Sequence, residues 1–167
     1  MKRFGLWAVC VMAALCLSVT ALVRAQTTTP YRYALPQGWQ RAAADGMESF
    51  TTTQEPADTV QILLLPPKPL QGDFQSLFSS ERLALETGWA LSAPQPAPPQ
   101  AGSVGAASYA AHYASYDSAG GARYMAFMAL GQDGRIAMLV FVAASADAFN
   151  RQAPQAAALL RSLRLAQ

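Results

Sequence analysis

Residues 122–144 read ARYMAFMALGQDGRIAMLVFVAA, and this stretch decides the fold class. Asp133-Gly134 is a dipeptide typical of a tight hairpin turn, and it separates two apolar runs that predict strands over Ala122 to Leu130 and Arg135 to Ala144. Large side chains alternate on both faces: Tyr124, Met128, Leu139 and Phe141 on one, and Met125, Phe127, Ile136, Met138 and Val140 on the other. A sheet that is apolar on both faces needs cover on both, so the stretch predicts helices on each side of a sheet.

Other strand signals lie nearer the N-terminus. The segment from Tyr31 to Leu35 alternates in polarity, which predicts a half-buried strand, and Trp39 opens the next one. Asp45-Gly46 then predicts a hairpin turn into a third strand over Met47 to Thr53. The continuous apolar run from Thr59 to Leu65 predicts a strand that is covered on both faces.

Prolines and glycines limit these strands. Pro66, Pro67 and Pro69 are expected to end the Thr59 to Leu65 strand, because proline lacks the N–H that a strand ladder requires. Val104 to Tyr116 predicts one further strand, which Gly120-Gly121 joins to the hairpin of residues 122–144. The last three strands are therefore expected to form an antiparallel meander.

Two helices are predicted from their caps and apolar stripes. Asp73 and Ser145 are suited to accept hydrogen bonds from the free N–H groups of a first helical turn, and Gly88 is suited to end the first helix. The expected core stripes are Phe74, Leu77, Phe78 and Leu85 in the first helix, and Phe149, Ala153, Ala156, Leu160 and Leu163 in the second. Pro154 predicts a kink or a restart within the second helix.

A proline-rich stretch, Ser92 to Gly102, separates the two halves of the chain. Its composition favours extended polyproline II and disfavours helix and sheet, so it is predicted to be an exposed loop. Each half has three strands and one helix, too few for an independent core, and residues 31–167 are therefore predicted to form one domain. The expected class is α+β: an α/β/α sandwich whose central, mostly antiparallel sheet has about six strands.

The N-terminus has the layout of a secretory signal. Lys2 and Arg3 precede an uncharged apolar run from residue 4 to residue 23, and the small side chains around Arg24 predict cleavage between Ala25 and Gln26. Residues 26–30 would then form a polar, flexible lead. The run is nearly long enough to span a bilayer, so an uncleaved membrane anchor is the alternative.

Both outcomes place the remaining chain outside the cytoplasm, as a periplasmic, secreted or anchored protein. Lipid attachment is disfavoured, because Leu15 precedes Cys16 and Val9 precedes Cys10, where lipoprotein processing generally requires a small residue. No membrane insertion is expected once the signal has been removed.

Composition limits the function classes. Removal of residues 1–25 leaves 142 of the 167 residues, enough for one domain, and it takes both cysteines with it. Nine basic side chains then face ten acidic ones, a net charge near −1, with no run of lysines or arginines. The sequence therefore gives no electrostatic reason to expect nucleic acid or an anionic membrane as a partner.

The segment Tyr33-Ala34-Leu35-Pro36-Gln37-Gly38-Trp39, placed before three strands, a helix, three strands and a final helix, resembles the opening of the PsbP-like superfamily. The match covers nearly the whole chain after residue 25. PsbP is an extrinsic photosystem subunit, and the resemblance implies an α/β/α sandwich that is shared with many exported bacterial domains of unknown role. No metal-binding or partner-binding signature of the superfamily is present, so the resemblance implies fold and carries over no functional residue.

Catalytic motifs are absent from the sequence after residue 25. It has no cysteine, no Gly-x-Ser-x-Gly elbow, no Walker loop and only one histidine, His112. These absences exclude thiol proteases, Cys/His zinc sites and most histidine-based triads. We predict no cofactor and no metal, and folding that depends on neither a metal nor a disulfide.

His112 has both a structural and a functional interpretation. It shares a side of its strand with Tyr116, and the plain interpretation is that it is structural. The functional hypothesis joins His112 with Tyr116 and Asp117 in a small polar pocket at the end of the strand. Trp39 and Trp89 adjoin glycine turns and are expected to close the core rather than to stack on a ligand.

Two functions from different classes remain. An exported, non-catalytic binding or assembly module is favoured, with an envelope protein as the candidate partner. The alternative is a carboxylate-dependent hydrolase that acts outside the cytoplasm, which needs two carboxyl groups facing one cleft. Nearly all ten acidic residues are expected in turns or on helix surfaces, where a solubilising role is the simpler interpretation.

Overall fold

A computed structural model describes residues 30–52, 54, 60–92, 99–104, 106–117 and 121–166. The predicted signal segment, its cleavage position between Ala25 and Gln26, and the lead up to residue 29 lie outside the described residues.

The described chain folds around an antiparallel sheet. Ten strands are present among the described residues: β1 Tyr31–Arg32, β2 Trp39–Ala44, β3 Met47–Thr52, β4 Val60–Leu64, β5 Lys68–Pro69, β6 Gln100–Val104, β7 Ala107–Tyr116, β8 Arg123–Gln132, β9 Arg135–Ala143 and β10 Arg164–Leu165. The main sheet has the order β2-β3-β4-β9-β8-β7-β6, with β5 also paired to β9, whereas β1 and β10 form a separate ribbon. The main sheet therefore has eight strands where about six were predicted.

The two predicted hairpin turns are confirmed. Asp45 and Gly46 have φ angles of 52° and 76°, and Asp133 and Gly134 have φ angles of 51° and 69°. Two successive positive φ angles match the right-handed twist of the flanking strands, which is why Asp-Gly is favoured there. The meander β7-β8-β9 follows from the second turn, and β4 then pairs with β9 to join the two halves of the chain.

Two helices are present in the described residues, α1 over Phe74–Gly88 and α2 over Ala146–Ser162. Both predicted N-caps are confirmed: an Asp73 carboxylate oxygen accepts from Ser76 N–H at 2.8 Å, and Ser145 Oγ accepts from Ala148 N–H at 3.2 Å. Helix α1 packs over β7 and β8, and helix α2 packs over β4, β8 and β9.

Alternate residues of β8 belong to two different core clusters. Met125, Phe127 and Ala129 pack with Phe78 of α1, on what we call the α1 face. Ala126, Met128 and Leu130 pack with Leu159 of α2, on what we call the α2 face. The predicted alternation of large side chains along residues 122–144 is thus confirmed.

Gly131 allows α1 to approach the sheet closely. A Cβ atom at this buried position of β8 would lie 2.7 Å from the ring of Phe74. Because real Cβ atoms essentially never come so near, the missing side chain gives Phe74 its space.

The first strand is shorter than predicted, and the two predictions that concern prolines have different outcomes. The strand expected from Tyr31 to Leu35 ends at Arg32, because its partner β10 has only two residues. The prolines after Leu65 end the preceding strand as predicted, since β4 stops at Leu64, and Lys68–Pro69 then forms β5 through a pairing with β9 that is only two residues long. Helix α2 does not restart at Pro154, whose exposed position is accommodated within one continuous helix.

The proline-rich stretch is shorter than predicted. Residues 93–98 lie outside the described residues, but Gln100–Val104 forms β6 and pairs with β7. The prolines end at Pro99, so the residues after it can contribute their N–H groups to a ladder. The predicted loop over Ser92 to Gly102 therefore includes the start of an edge strand.

Candidate functional site

The structure places His112 and Tyr116 on the α1 face of β7. Each side chain is only 1% exposed, because α1 packs over this part of the strand. Asp117 follows the strand and is exposed, and its backbone pairs with Ser92 through hydrogen bonds of 2.9 and 3.3 Å. The structure thus brings His112 and Tyr116 to the same buried side, with Asp117 at the end of the strand, and the three-residue site stays a prediction.

Tyr116 has a carboxylate partner that the sequence did not reveal. Its hydroxyl donates to Glu86 Oε1 at 2.7 Å, and Arg82 donates to the same oxygen from one turn earlier in α1. Burial, followed by the hydrogen bond to Glu86, raises the pKa of Tyr116 above its ordinary value. The hydroxyl therefore stays protonated and holds α1 against β7.

A second cluster of the same composition lies on the α2 face. Glu48 is 2% exposed, and it accepts hydrogen bonds of 3.0 Å from Nε and Nη2 of Arg41 and a further bond from the Tyr33 hydroxyl. Burial and the bond to Glu48 raise the pKa of Tyr33, and the bond to Glu48 raises the pKa of Arg41. Glu48 was not among the candidate residues predicted from the sequence, although a lone carboxylate in a strand, two residues before Phe50, was a signal that could have identified it.

The acidic side chains of the described residues do not form a metal site. Within the described ranges, no group of three His, Cys, Asp or Glu side chains could hold an ion. Glu48 and Glu86 are each held by an arginine and a tyrosine, and Glu81 pairs with Lys68 at 2.5 Å. These carboxylates are therefore engaged in structural contacts.

A partly covered strip of β7 lies on the α2 face, where Ala107, Tyr109 and Ala111 are half-buried. Helix α2 packs over β4, β8 and β9, and the α2-face residues of β7 are Ala107, Tyr109, Ala111 and Tyr113. Tyr113 is 41% exposed, although it belongs to the same strand as the buried His112. At about 3.3 Å per residue the strip is roughly 20 Å long. We call it the tyrosine trough.

One end of the tyrosine trough is an apolar depression of about 290 Å³ at the start of α2, lined in part by Tyr113, Tyr124, Phe149 and Asn150. The rings of Tyr113 and Phe149 meet edge to face, with centroids 6.4 Å apart, and Phe149 in turn packs on Phe141 at 4.9 Å. The buried Phe141 therefore gives the exposed aromatic pair a rigid support.

The other end is a more polar depression of about 210 Å³ beside β10. Tyr109, Gln132, Asp133 and Arg164 contribute to its lining. The trough thus runs from an aromatic end to an end with hydrogen-bonding and charged groups, so the two ends differ in chemistry.

Strand β6 borders the trough and is an edge of the main sheet. Its sequence, QAGSV, has no charged residue, and residues 100–103 are exposed. Gly102 lies opposite Tyr109, and a Cβ atom added at Gly102 would meet nothing within 4 Å. The open edge and the trough therefore form one continuous surface.

Comparisons with known proteins bear on the fold. The structure is similar to cyanobacterial PsbP (CyanoP) from Synechocystis sp. PCC 6803, with a TM-score of 0.61 and 10% identity over 83% of this chain and 88% of that one. The fold is PsbP-like. This PsbP-like fold also resembles LpqN of Mycobacterium tuberculosis, described as involved in cell envelope biogenesis, with a TM-score of 0.60 and 18% identity over 82% of this chain and 83% of that one.

A Bacteroides thetaiotaomicron structure shares the PsbP-like fold more loosely, with a TM-score of 0.53 and 10% identity over 83% of this chain but only 46% of that one. No family model and no curated protein matches the chain by sequence. At these identities the likeness extends to the fold alone.

Within the described part of this PsbP-like chain, no helix is long and apolar enough to cross a membrane. The two tryptophans differ in their surroundings. Trp39 is buried and donates from Nε1 to Gln155 at 2.7 Å, whereas Trp89 is 39% exposed and its ring lies 6.3 Å from that of Phe127. Trp39 closes the core as predicted, and Trp89 does so only in part.

Proposed function

We propose that this protein is an exported, non-catalytic binding module whose tyrosine trough and open edge hold an extended segment of a partner polypeptide, with an envelope protein as the candidate partner. The observation that carries the proposal is the partly covered strip of β7, with Tyr113 41% exposed, beside the uncharged edge strand β6. Export with cleavage between Ala25 and Gln26, one domain over residues 31–167, and the α/β/α sandwich with one helix on each face are parts of the same proposal.

The edge strand supports a polypeptide partner. Natural sheets commonly use charged residues, prolines or bulges to protect their edge strands from pairing, since unpaired N–H and C=O groups attract other strands. Residues 100–104 contain none of the charged residues or prolines used for this purpose. A partner strand added here would gain main-chain hydrogen bonds, and its alternate side chains would lie over the trough.

The aromatic residues support a specific rather than a general contact. Tyrosine is enriched at protein interfaces because it offers a large apolar area with a polar tip and few rotatable bonds. Tyr109 and Tyr113 lie on the same face of β7, four residues apart, with Ala111 between them on that face. An apolar partner side chain is expected in the aromatic depression and a polar one in the depression beside Arg164.

Site-specific crosslinking tests this surface. A photoreactive residue replaces Tyr113 in the trough, and a control replaces Thr51, which is also an exposed strand residue but lies on β3. In the native host, position 113 should capture a discrete partner that position 51 does not. Capture of the same set of proteins at both positions, or of none at position 113, contradicts the proposal.

Edge charges give a second test. Ala101→Lys places a charge on β6, and Ala42→Lys places the same charge on the opposite edge strand β2, where Ala42 is equally exposed. Ala101→Lys should abolish partner capture while leaving the melting temperature unchanged, and Ala42→Lys should leave both unchanged. Equal effects of the two variants would exclude strand addition at β6.

The hydrolase alternative has its own test through the predicted His112, Tyr116 and Asp117 site. Wild-type protein is assayed on glycosides and esters, with His112→Ala and Asp117→Asn as variants. General acid-base groups typically contribute about 10² to 10⁴-fold to the rate. A hundredfold loss in His112→Ala at an unchanged melting temperature would establish an enzyme, whereas we expect no activity to lose.

Two simple measurements test the processing and the domain proposals. Intact-mass analysis of the exported protein should give a chain that starts at Gln26, and a retained N-terminal segment would establish the anchored form.

Mild proteolysis between Ser92 and Pro99 should leave two fragments that stay associated and unfold together, because β4 and β9 pair across the cut. Fragments that separate as stable halves would indicate two domains.

A further inference from the structure

Two arginines face each other across the ribbon of β1 and β10. Arg32 and Arg164 are direct partners in the antiparallel register, and both are exposed. Like charges directly opposite each other on a sheet destabilise it. The ribbon therefore carries an electrostatic cost that an external anion would remove.

Folding brings the backbone of Arg161 and the side chain of Arg135 close to the ribbon. Arg164 Nη1 donates to the carbonyl oxygens of Arg161 at 3.0 Å and of Leu163 at 2.6 Å, which places it beside the last turn of α2. Arg135 donates from Nη2 to the Ala166 carbonyl at the end of the ribbon. Arg32, Arg161 and Arg164, with Arg135 at the margin, form what we call the arginine patch.

In the part of the chain that the structure describes, the arginine patch differs from three other basic positions in its lack of carboxylate partners. Arg41, Lys68 and Arg82 each form a salt bridge with a glutamate, whereas no salt bridge between described residues involves Arg32, Arg161 or Arg164. One carboxylate is near, since Asp133 lines the depression that Arg164 also lines. The patch thus keeps a net positive charge, although the sequence has no basic run that would predict it.

An apolar side chain stands beside these charges. The backbone N–H of Ala34 donates to Ser162 Oγ at 3.0 Å, which holds this segment against the end of α2. The next residue, Leu35, is 39% exposed. Basic groups around an exposed apolar side chain are the combination that binds at the surface of an anionic bilayer, where the chain enters the interface and the charges meet headgroups.

The position of the patch in the chain fits the same partner. Seven residues separate the apolar run that ends at Val23 from Tyr31, the first residue of the ribbon. Fully extended, this connection spans about 25 to 30 Å at most. During export, or in an anchored form, β1 is therefore the strand closest in sequence to the membrane, and its pairing with β10 brings Arg164 to the same place. We propose that the arginine patch docks the protein on the anionic phospholipid headgroups of a membrane surface.

Vesicle binding tests this proposal. The protein is purified in the form that its host exports, and its variants carry the same N-terminus. Binding to phosphatidylcholine vesicles is compared with binding to equimolar phosphatidylcholine and phosphatidylglycerol, by sedimentation and by hydrogen exchange of residues 30–36 and 160–166. The anionic vesicles should bind the protein and protect these segments. Raising the salt from about 0.1 M to about 1 M shortens the screening length from roughly 10 Å to 3 Å and should abolish the difference.

The test variant is the double variant Arg32→Gln with Arg164→Gln. The control is Arg123→Gln, because Arg123 begins β8 and the ribbon lies near Gln132 at the other end of that strand. Each arginine near an anionic surface contributes about fivefold to partitioning, so the double variant should bind roughly 25-fold more weakly and the control as wild type. Arg161→Gln should lose about fivefold and serves as the second variant should the double variant unfold. Equal binding to both vesicle types, an equal loss in Arg123→Gln, or displacement by millimolar free phosphate would overturn the proposal, and the last outcome would indicate a soluble anion site.

Discussion

The two faces of β7 differ in how much of their side chains is exposed to water. On the α1 face, His112 and Tyr116 are 1% exposed, whereas Tyr113, which lies between them on the α2 face, is 41% exposed. The residues alternate as any strand requires, so the difference arises from where the two helices lie and not from the strand itself. Periodicity therefore predicts which side chains share a face, while the cover on that face is decided by tertiary packing.

The largest expected contrast between the two faces comes from removing a ring on each. Phe78 is the buried residue of α1, and Phe78→Ala should lower the free energy of unfolding by about 3 to 5 kcal/mol, because it leaves a cavity between α1 and the sheet. Tyr113→Ala should lower it by about 1 kcal/mol or less, since 41% of Tyr113 is already exposed to water in the folded protein. Urea titration of both variants measures the contrast, and equal losses would mean that the trough is as tightly packed as the covered face.

The polar clusters give the next contrast, since each face has a glutamate held by an arginine and a tyrosine. The side chain of Glu48 is 3% exposed and that of Glu86 is 14% exposed. Glu48→Gln should cost about 2 to 3 kcal/mol, because its charge-assisted bonds to Arg41 are shielded from water. Glu86→Gln should cost about 1 kcal/mol. Denaturant unfolding of the two variants is the measurement, and the reverse order would refute the assignment of Glu48 as the more deeply engaged carboxylate.

The two strands that flank β7 each contain a glycine, Gly131 in β8 and Gly102 in β6, and their substitution compares the covered side with the open edge. Gly131→Ala should cost about 2 kcal/mol, because its Cβ would overlap the Phe74 ring where α1 rests on β8. Gly102→Ala, on the open edge, should change stability by less than about 0.5 kcal/mol, since its Cβ meets nothing within 4 Å. Thermal melts of both variants test this, and a neutral Gly131→Ala would show that α1 can shift away from the sheet without loss.

The smallest effect near neutral pH concerns three tyrosine hydroxyls. Burial, the largest cause in each case, raises the pKa of Tyr31, Tyr33 and Tyr116 above the ordinary value of 10.0. The unfolded chain then loses these protons first, so the contribution of the three hydroxyls to stability should be constant below about pH 10 and fall as the pH rises above it. Unfolding measured across this range should show a shallower fall for Tyr116→Phe than for the wild type. An unchanged pH dependence in that variant would mean that Tyr116 ionises equally in the folded and unfolded states.

Much of the fold could be predicted because its signals are local. The two Asp-Gly turns, the caps Asp73 and Ser145, and the alternation along residues 122–144 each depend on neighbours in sequence. The pairing of β1 with β10 could not be predicted, because two-residue strands carry no periodic pattern and meet only after the rest of the chain has folded.

The candidate surfaces were missed for the same kind of reason. Tyr109 and Tyr113 alternate as core residues do, and nothing in their spacing shows that α2 lies over β8 and β9 instead of over them. The arginine patch assembles residues from distant segments, which a search for basic runs does not detect. His112, by contrast, was conspicuous in the sequence because it is the only histidine, and it lies in a covered position.

The ribbon of β1 and β10 also has a consequence for the timing of folding. The contact between Ala34 and Ser162 spans 128 residues, and the pairing of Tyr31 with Leu165 is more distant still in sequence. Closing so long a loop is entropically costly and slow, so this clasp is expected to form last. For a chain that emerges N-terminus first, β1 therefore stays unpaired until residues 164 and 165 have been delivered. Pairing of the ribbon then requires that every residue between Tyr31 and Leu165 has already been made.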